Sequence, residues 1–265
     1  MTRVDMHAWI GSYPWRHLPS HDPSSLRETL AREQFDGAWV GHLSSAWWRD
    51  PAPGNRELML ALKPHAGVLW PAPCIRPDWP RWRDELTAAL DHGARAIRAY
   101  PTQWGMGPEH PAWLELGHAV AEAGVVLVLT QRFEDQRQRH PLDSAADLTA
   151  AHVRSLARGT SARVIVGAAS RSLIEETHFG LTAVEQGRVW YDVAWLWGPP
   201  EDEFALMIET VGPARLVEGT GWPLRLGEQL RSARELLPAV LHGVQLAGAD
   251  DVLNAVRERP RPLDY

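Results

Sequence analysis

Short apolar runs alternate with longer amphipathic stretches along the whole chain, and this repeat restricts the fold more than any other feature. The apolar runs predict β-strands at 3–8, 37–42, 66–70, 95–99, 124–130, 163–168, 188–193 and 215–219. The stretches between them predict helices near 24–34, 55–63, 80–92, 111–123, 144–158, 170–180, 200–212 and 226–241, with a last helix at 249–257. Strands that are apolar on both faces are typical of a parallel sheet covered by helices.

Eight β/α units favour an α/β fold of the closed (β/α)8 TIM barrel type over an open, doubly wound sheet. No Gly-x-Gly-x-x-Gly follows a predicted strand, so the usual signal of a nucleotide-binding sheet is missing. No flexible or highly charged linker interrupts the 265 residues. We therefore expect a single domain over 1–265.

The charge and cysteine content narrow the expected partners and location. The formal net charge is -6 and no basic stripe is visible, which argues against nucleic acid. No apolar run approaches the roughly 20 residues that span a bilayer, so no membrane partner is expected. The single cysteine, Cys74, and the absence of a signal segment predict a cytoplasmic protein. A small-molecule substrate is the expected partner, with a homodimer as the default assembly.

The first predicted strand ends in Asp-x-His-x-Trp, one residue away from the Asp-x-His-x-His of many metal-dependent hydrolases. Strand residues at i and i+2 point to the same side, so two histidines with this spacing can share one metal ion. The indole of Trp9 has only an N–H donor and no lone pair for a cation. By the same alternation, Asp5 is predicted to face the same side as His7 and to anchor it.

Tryptophan is unusually frequent, with 14 Trp against 4 Phe and 4 Tyr. A core position is the usual explanation for any single tryptophan. At least eight of them, however, lie at or just after predicted strand ends, where barrel enzymes place their active sites. This shared placement predicts an aromatic mouth that binds a planar, sugar-like or cationic ligand. The predicted binding residues are Trp9, His42, Trp48, Trp70, Tyr100, Trp104, Trp195, Trp197 and Trp222.

Several segments, taken together and in order, carry a resemblance to a known family. They are VDMH at 4–7, YPWR at 13–16, GARAIRAYP at 93–101, EDQRQRHP at 134–141 and RLVEGTGWP at 215–223. With them the chain resembles the amidohydrolase superfamily, specifically the amidohydrolase-related branch that includes aminocarboxymuconate-semialdehyde decarboxylase-like enzymes. The resemblance spans nearly the whole chain and implies a TIM barrel with a hydrolase or lyase activity.

The sequence departs from this family at the metal ligands. The family takes them from a second histidine on the first strand, from histidines ending the fifth and sixth strands, and from an aspartate on the eighth. The corresponding positions here hold Trp9, Thr130 or Gln131, Ala168 or Ala169, and Gly221. Only His7 remains, and a single imidazole does not make a tight zinc site. We therefore expect no structural or catalytic zinc and no other cofactor.

The resemblance also implies which residues would replace the metal, because metal-independent members of the superfamily hold carboxylated substrates with arginines and histidines. The candidate catalytic residues are His7, Arg98, Gln131, Arg132, Asp135, His140 and Asp192, with Arg137 as an orienting partner. Arg98 is equally well explained as a buried ion pair with Asp135 or another acid. For the charged segment after the fifth strand a solvated loop is the usual explanation. Cys74 is expected to be buried and inert, and Glu218 to need a cationic partner.

Two function classes stay open from the sequence. The first is a metal-independent hydrolase or lyase acting on a small carboxylated or ring-containing molecule, with His7 as acid or base and with Arg98 and Arg132 as anion clamps. The second is a degenerate barrel that binds a ligand or partner without turnover. A base, an anion clamp and a water-excluding wall at the same strand ends favour the enzyme.

Overall fold

A computed structural model describes residues 3–255 and contains all eight predicted strands. They are β1 Val4–Ile10, β2 Gly37–His42, β3 Leu69–Pro71, β4 Ala96–Ala99, β5 Val126–Thr130, β6 Arg163–Gly167, β7 Val189–Asp192 and β8 Leu216–Val217. The α-helices are α1 Pro23–Arg32, α2 Ala52–Leu62, α3 Trp82–Asp91, α4 Pro111–Ala123, α5 Ala150–Gly159, α6 Arg171–His178, α7 Ala183–Gln186, α8 Glu203–Thr210, α9 Glu228–Glu235 and α10 Ala249–Asn254. The order of elements is therefore the predicted β/α repeat, with one additional short helix, α7, before β7.

The strands pair in parallel, in the orders β1-β2-β3 and β4-β5-β6-β7-β8. Main-chain hydrogen bonds join the two sheets at both edges. On one side Met6 N–H donates to Glu218 (2.9 Å) and Gly221 N–H donates to His7 (2.9 Å). On the other side Arg98 N–H donates to Pro73 at 2.8 Å. Eight parallel strands joined in this way and surrounded by helices form the (β/α)8 barrel that the repeat predicts.

The core has two main layers. The larger one lies between the strands and the surrounding helices and includes Leu127, Leu129 and Val164. The smaller one fills the inside of the barrel towards the N-terminal ends of the strands and includes Met6 and Trp190. Apolar side chains on both faces of each strand explain why the strands read as continuous apolar runs. Within residues 3–255, no helix has the length and apolar character needed to cross a bilayer.

A β-bulge in β1 determines how the first motif is presented. Asp5 pairs with Ala38 and Ala8 pairs with Val40, so two residues, Met6 and His7, stand opposite one residue of β2. The extra residue interrupts the alternation, and the expectation that Asp5 and His7 face the same side is wrong. Asp5 instead accepts hydrogen bonds from the His7 N–H (3.0 Å) and from the Thr220 hydroxyl (2.6 Å). Burial raises the pKa of Asp5, and these hydrogen bonds act against the rise.

Most of the predicted helices differ from the structure by a few residues at their ends, and the differences are largest in the C-terminal half of the chain. The helix predicted at 144–158 begins only at Ala150, where the His152 side chain accepts a hydrogen bond from the Thr149 N–H at 3.4 Å and caps the first turn. The helix predicted at 226–241 ends at Glu235, shortly before Pro238, which cannot donate a helical hydrogen bond. Of the helix predicted at 249–257, the last two residues lie outside the described part of the chain.

Candidate active site

His7 lies inside the barrel near the C-terminal ends of the strands, between side chains from two other strands. Its Nδ1 is 2.5 Å from Oδ2 of Asp192, the last residue of β7. Its Nε2 is 3.0 Å from Oγ1 of Thr130, the last residue of β5. All three side chains are buried. We refer to His7, Asp192 and Thr130 as the His7 group.

The hydrogen bonds around Asp192 favour one protonation pattern in the His7 group. Its Oδ1 accepts from the main-chain N–H groups of Ala168 (3.0 Å) and Ala194 (3.1 Å), which stabilise a carboxylate. The Nδ1 contact of His7 with Oδ2 is close but poorly aligned for a hydrogen bond. A carboxylate oxygen at this distance nevertheless favours a proton on Nδ1 rather than a lone pair. In neutral His7, Nε2 is then an acceptor and the Thr130 hydroxyl donates to it.

Arg98 projects from β4 into the same enclosed space and has no exposed surface. One terminal nitrogen donates to the carbonyls of Ala8 (3.0 Å) and Trp39 (3.1 Å). The guanidinium carbon lies 4.9 Å from the centre of the Trp9 ring. Its Nε and other terminal nitrogen have no well-formed hydrogen bond to any described residue, and no acidic side chain within 3–255 forms an ion pair with it. The ion pair with Asp135 that the sequence left open is not formed, because Asp135 pairs with Arg137.

Burial affects the charge of both Arg98 and its neighbour Tyr100. It lowers the pKa of Arg98, while Tyr100, Asp5 and Asp192 act in the opposite direction. It raises the pKa of Tyr100 to about 12, so that the hydroxyl stays neutral and accepts a hydrogen bond from Trp9 Nε1 at 2.9 Å. Arg98 is therefore a buried cation with carboxylates nearby but none in direct contact.

Three glycines provide the space for these large side chains. A Cβ atom at Gly41 of β2 would lie 2.5 Å from Arg98 Cδ, and one at Gly167 of β6 would lie 2.4 Å from the His7 ring. A Cβ atom at Gly219, after β8, would lie 2.7 Å from His7 Cβ. Even alanine at these positions would displace His7 or Arg98.

The mouth above the His7 group is filled by aromatic side chains. Phe133 is central, with its ring centroid 4.4 Å from Trp47, 5.4 Å from Tyr100 and 5.7 Å from Trp9. The other aromatic members are Tyr13, Trp15 and Trp104. We refer to these seven residues as the aromatic cluster. Because Phe133 is only 4% exposed, the cluster separates the His7 group from solvent.

A cavity of about 210 Å³ lies on the outer side of Phe133 and is also lined by Trp195, Trp197 and Arg225. The Arg225 guanidinium lies over both indoles, 3.7 Å from the Trp195 centroid and 5.0 Å from that of Trp197. It donates to the Ala194 carbonyl at 2.7 Å, and no acidic side chain of the described chain forms an ion pair with it. Burial lowers the pKa of Arg225 to about 10, so it is charged at neutral pH. We refer to this space as the outer cavity.

The loop after β5 contributes mainly structural contacts. Gln131 accepts a hydrogen bond from the Ser170 N–H at 2.6 Å. Arg132 pairs with Asp147 at 3.1 Å, so it is not a free anion clamp. His140 stacks on Trp15 with centroids 5.2 Å apart. Asp135, paired with Arg137 at 2.9 Å, lines the outer cavity but does not reach the His7 group.

Four of the predicted binding residues lie elsewhere. Trp70 packs with the layer inside the barrel near the N-terminal ends of the strands, beside Gly37. Trp222 belongs to the layer between strands and helices. His42 binds the Ser45 hydroxyl at 2.8 Å and packs on Trp48 at 5.1 Å. Strand alternation and local packing direct these side chains away from the His7 group.

Cys74 and Glu218 behave as expected from the sequence. Cys74 is 1% exposed, and burial raises the pKa of its thiol far above the range of a reactive cysteine. Glu218 contacts Arg3 at 2.6 Å and Arg234 at 2.8 Å, at the N-terminal end of the barrel.

Solved structures with the same fold include several named enzymes. The 2,6-dihydroxybenzoate decarboxylase from Rhizobium matches at TM-score 0.68 and 11% identity, over 95% of this chain and 98% of its own. A 5-carboxyvanillate decarboxylase from Novosphingobium aromaticivorans, solved with manganese, matches at TM-score 0.65 and 12% identity, over 95% of this chain and 97% of its own. A probable 2-pyrone-4,6-dicarboxylic acid hydrolase from Acinetobacter baumannii, solved with citric acid, matches at TM-score 0.62 and 14% identity, over 89% of this chain and 92% of its own. The chain has the amidohydrolase fold.

Identities this low show the fold and no more. No family model matches the sequence, and no curated protein matches it. The function of this chain therefore has to be inferred from its own residues.

The manganese of the Novosphingobium structure raises the question of whether this amidohydrolase fold offers a metal site. His7 is the remaining candidate ligand, but its two nitrogens face Asp192 and Thr130. Within residues 3–255, no group of three or more His, Cys, Asp or Glu side chains is arranged to hold a metal ion. The donor set present does not fit such an ion.

Three residues of this region had no role assigned from the sequence. From the sequence, Thr130 is only the place of a missing metal ligand, whereas in the structure its hydroxyl contacts His7. Phe133 closes the mouth, and Arg225 lines the outer cavity. Strand-end position could have pointed to Thr130, but Phe133 and Arg225 lie in loops whose approach to the mouth is not encoded in local pattern.

Proposed function

We propose that the protein is a hydrolase or lyase that acts, without a metal ion, on a small carboxylated ring compound at the C-terminal mouth of the barrel. The observation that carries this proposal is Arg98, a buried guanidinium whose Nε and one terminal nitrogen make no well-formed hydrogen bond to the described residues. Its planar edge suits a substrate carboxylate, which would supply the missing anionic partner.

Two features of the surroundings support the same proposal. The Trp9 ring stacks near Arg98, and His7 with Asp192 provides an acid or base in the same enclosed space. The outer cavity, with Arg225 between Trp195 and Trp197, offers an entrance that attracts carboxylates and aromatic rings. Neighbours of the same fold that act on carboxylated aromatic compounds are compatible with it.

The test is binding of benzoate, isophthalate and uncharged benzyl alcohol by calorimetry. We expect the two carboxylates to bind and benzyl alcohol not to bind. Arg98→Met should weaken carboxylate binding about tenfold or more, since a hydrogen bond to a charged group contributes about 1.5–3 kcal/mol. Arg188→Met is the matched control, because Arg188 is also buried but donates to the Ala157 carbonyl outside the mouth. Equal carboxylate affinity of Arg98→Met and the unaltered protein would contradict the proposal.

A second candidate function is a barrel that binds a carboxylated ligand without turning it over. The aromatic cluster favours it, because Phe133 separates His7 from the outer cavity. Incubation with 2,6-dihydroxybenzoate and with aromatic esters, with products followed by chromatography, distinguishes the two. Carboxylate binding with no product from any compound would favour the binding protein.

A further inference from the structure

We propose that Thr130 is a catalytic nucleophile activated by His7 and Asp192, and that the protein hydrolyses esters or lactones of small carboxylated compounds. This inference rests on the proposed function and assigns a reaction to the same site. The observation behind it is the continuous series of contacts in the His7 group, from Asp192 through the imidazole to the Thr130 hydroxyl.

The order of contacts in the His7 group is the one that activates a hydroxyl. A carboxylate faces one imidazole nitrogen at 2.5 Å, and the hydroxyl lies 3.0 Å from the other. An imidazole oriented by a carboxylate accepts a hydroxyl proton as the oxygen attacks. Thr130 thus has both the base and the group that orients the base.

Two groups of opposite charge lie near His7. Asp192 is a carboxylate held by two N–H groups, and Arg98 is the buried cation near it. Arg98 therefore offsets the charge of Asp192. With a proton on the Nδ1 that faces Asp192, the Nε2 of His7 is free to accept the Thr130 proton.

Thr130 differs from the buried Thr29 and Thr160 in its hydrogen bond. Thr29 donates to the carbonyl of Ser25 at 3.1 Å and Thr160 donates to that of Leu156 at 2.8 Å, as is common for threonine in helices. Thr130 ends a strand, and its hydroxyl contacts an imidazole instead. Arg98 of the neighbouring strand β4 pairs with Val128, two residues before Thr130, so the anion site adjoins the nucleophile.

The reaction that follows is an acyl transfer in two steps. The Thr130 Oγ forms a bond to the substrate carbonyl carbon while its proton moves to His7 Nε2, and the C–O bond to the leaving group breaks as that group takes the proton. Water then attacks the acyl-threonine, gives a proton to His7 and releases the acid, and His7 returns the proton to Thr130. Only water is consumed, and no oxidant or metal is required.

The test uses 4-acetoxybenzoate, an aromatic ester that carries a carboxylate. We expect release of 4-hydroxybenzoate and, in acid-quenched samples, an acetyl group on the peptide that contains Thr130. Thr130→Val should lower turnover about 1000-fold or more and abolish the adduct, whereas Thr130→Ser should keep both. Thr177→Val is the matched control, because Thr177 is fully buried on α6 and remote from the His7 group. Thermal unfolding of all variants shows whether a loss of turnover reflects a loss of folding.

Each outcome decides the inference. Turnover by Thr130→Val at the unaltered rate, an adduct on another residue, or no ester hydrolysis by the unaltered protein would overturn it. Benzoate binding separates this failure from that of the proposed function. If benzoate binds and Arg98→Met removes the binding, the carboxylate site stands without the nucleophile. If benzoate binds to neither the unaltered protein nor Phe133→Ala, both proposals are wrong.

Discussion

Phe133 controls access to His7, and the variant Phe133→Ala tests this. The side chain is 4% exposed and packs on Trp47, Tyr100 and Trp9. Truncation of a buried phenylalanine to alanine costs about 3–5 kcal/mol. Because Phe133 also lines the outer cavity, water can fill the space that its ring leaves, and we expect about 3 kcal/mol, the lower end of that range.

The same free energy sets the expected gain in access. If opening of the mouth in the unaltered protein requires loss of the Phe133 contacts, about 3 kcal/mol keeps the open state about 100-fold less populated than in Phe133→Ala. Modification of His7 by diethyl pyrocarbonate, followed by peptide mass spectrometry, reports this population. We expect the reaction at His7 to be at least about tenfold faster in Phe133→Ala, even if part of the effect is lost to rearrangement.

The control is Phe204→Ala. Phe204 is 1% exposed and lies in the layer between strands and helices, so its truncation costs a similar free energy without opening the mouth. Urea unfolding measures both losses. Equal rates of His7 modification in the two variants would refute the role of Phe133, because access would then follow overall stability instead of the aromatic cluster.

Two further predictions concern the interior of the barrel. Gly167→Ala should lower the free energy of unfolding by about 1–3 kcal/mol and shift the NMR resonances of the His7 imidazole, because the new Cβ would lie 2.4 Å from that ring. The control is Gly107→Ala, because a Cβ atom at Gly107 would have nothing within 4 Å. Equal stability of the two variants would contradict the packing argument. Asp5→Asn should gain stability relative to the unaltered protein as pH rises above about 4, the pKa of Asp5 in the unfolded chain. In the unfolded chain Asp5 loses its proton near pH 3.8, whereas its raised pKa lets the folded protein keep that proton to higher pH. The binding of this proton stabilises the folded protein fully below the pKa of the unfolded chain, and the stabilisation disappears as pH rises through the pKa of the folded protein. Urea unfolding at a series of pH values measures the difference between the two proteins, and a difference that is constant across the series would show that Asp5 does not titrate in this way.

The strands and the barrel follow from the sequence because their signal is local. An apolar run such as Val126–Thr130 forms a buried parallel strand in any arrangement that covers both faces. The position of Asp5 could not be predicted in the same way, since the bulge in β1 depends on pairing with β2. Trp70 and Trp222 show the same limit, because proximity to a strand end does not determine which way a side chain points.

Part of the candidate site could be predicted from the sequence. His7, Arg98 and Asp192 stand at or near strand ends, and the barrel brings them into one enclosed space. The filled mouth was not readable, because it depends on how the loop that carries Phe133 folds over Trp9. Local sequence predicts the turns within a loop but not which distant residues the loop contacts, so these contacts are known only from the folded protein.

Gly41, Gly167 and Gly219 have a consequence for comparing this chain with others of the same fold. Because each of these residues lacks a Cβ atom, the barrel interior has room for the Arg98 guanidinium and the His7 imidazole. A relative with alanine at the place of Gly41 or Gly167 cannot hold Arg98 or His7 as seen here, whatever it has at the other catalytic positions. The residues at these three positions therefore indicate, from sequence alone, whether another barrel of this fold can enclose the same polar interior.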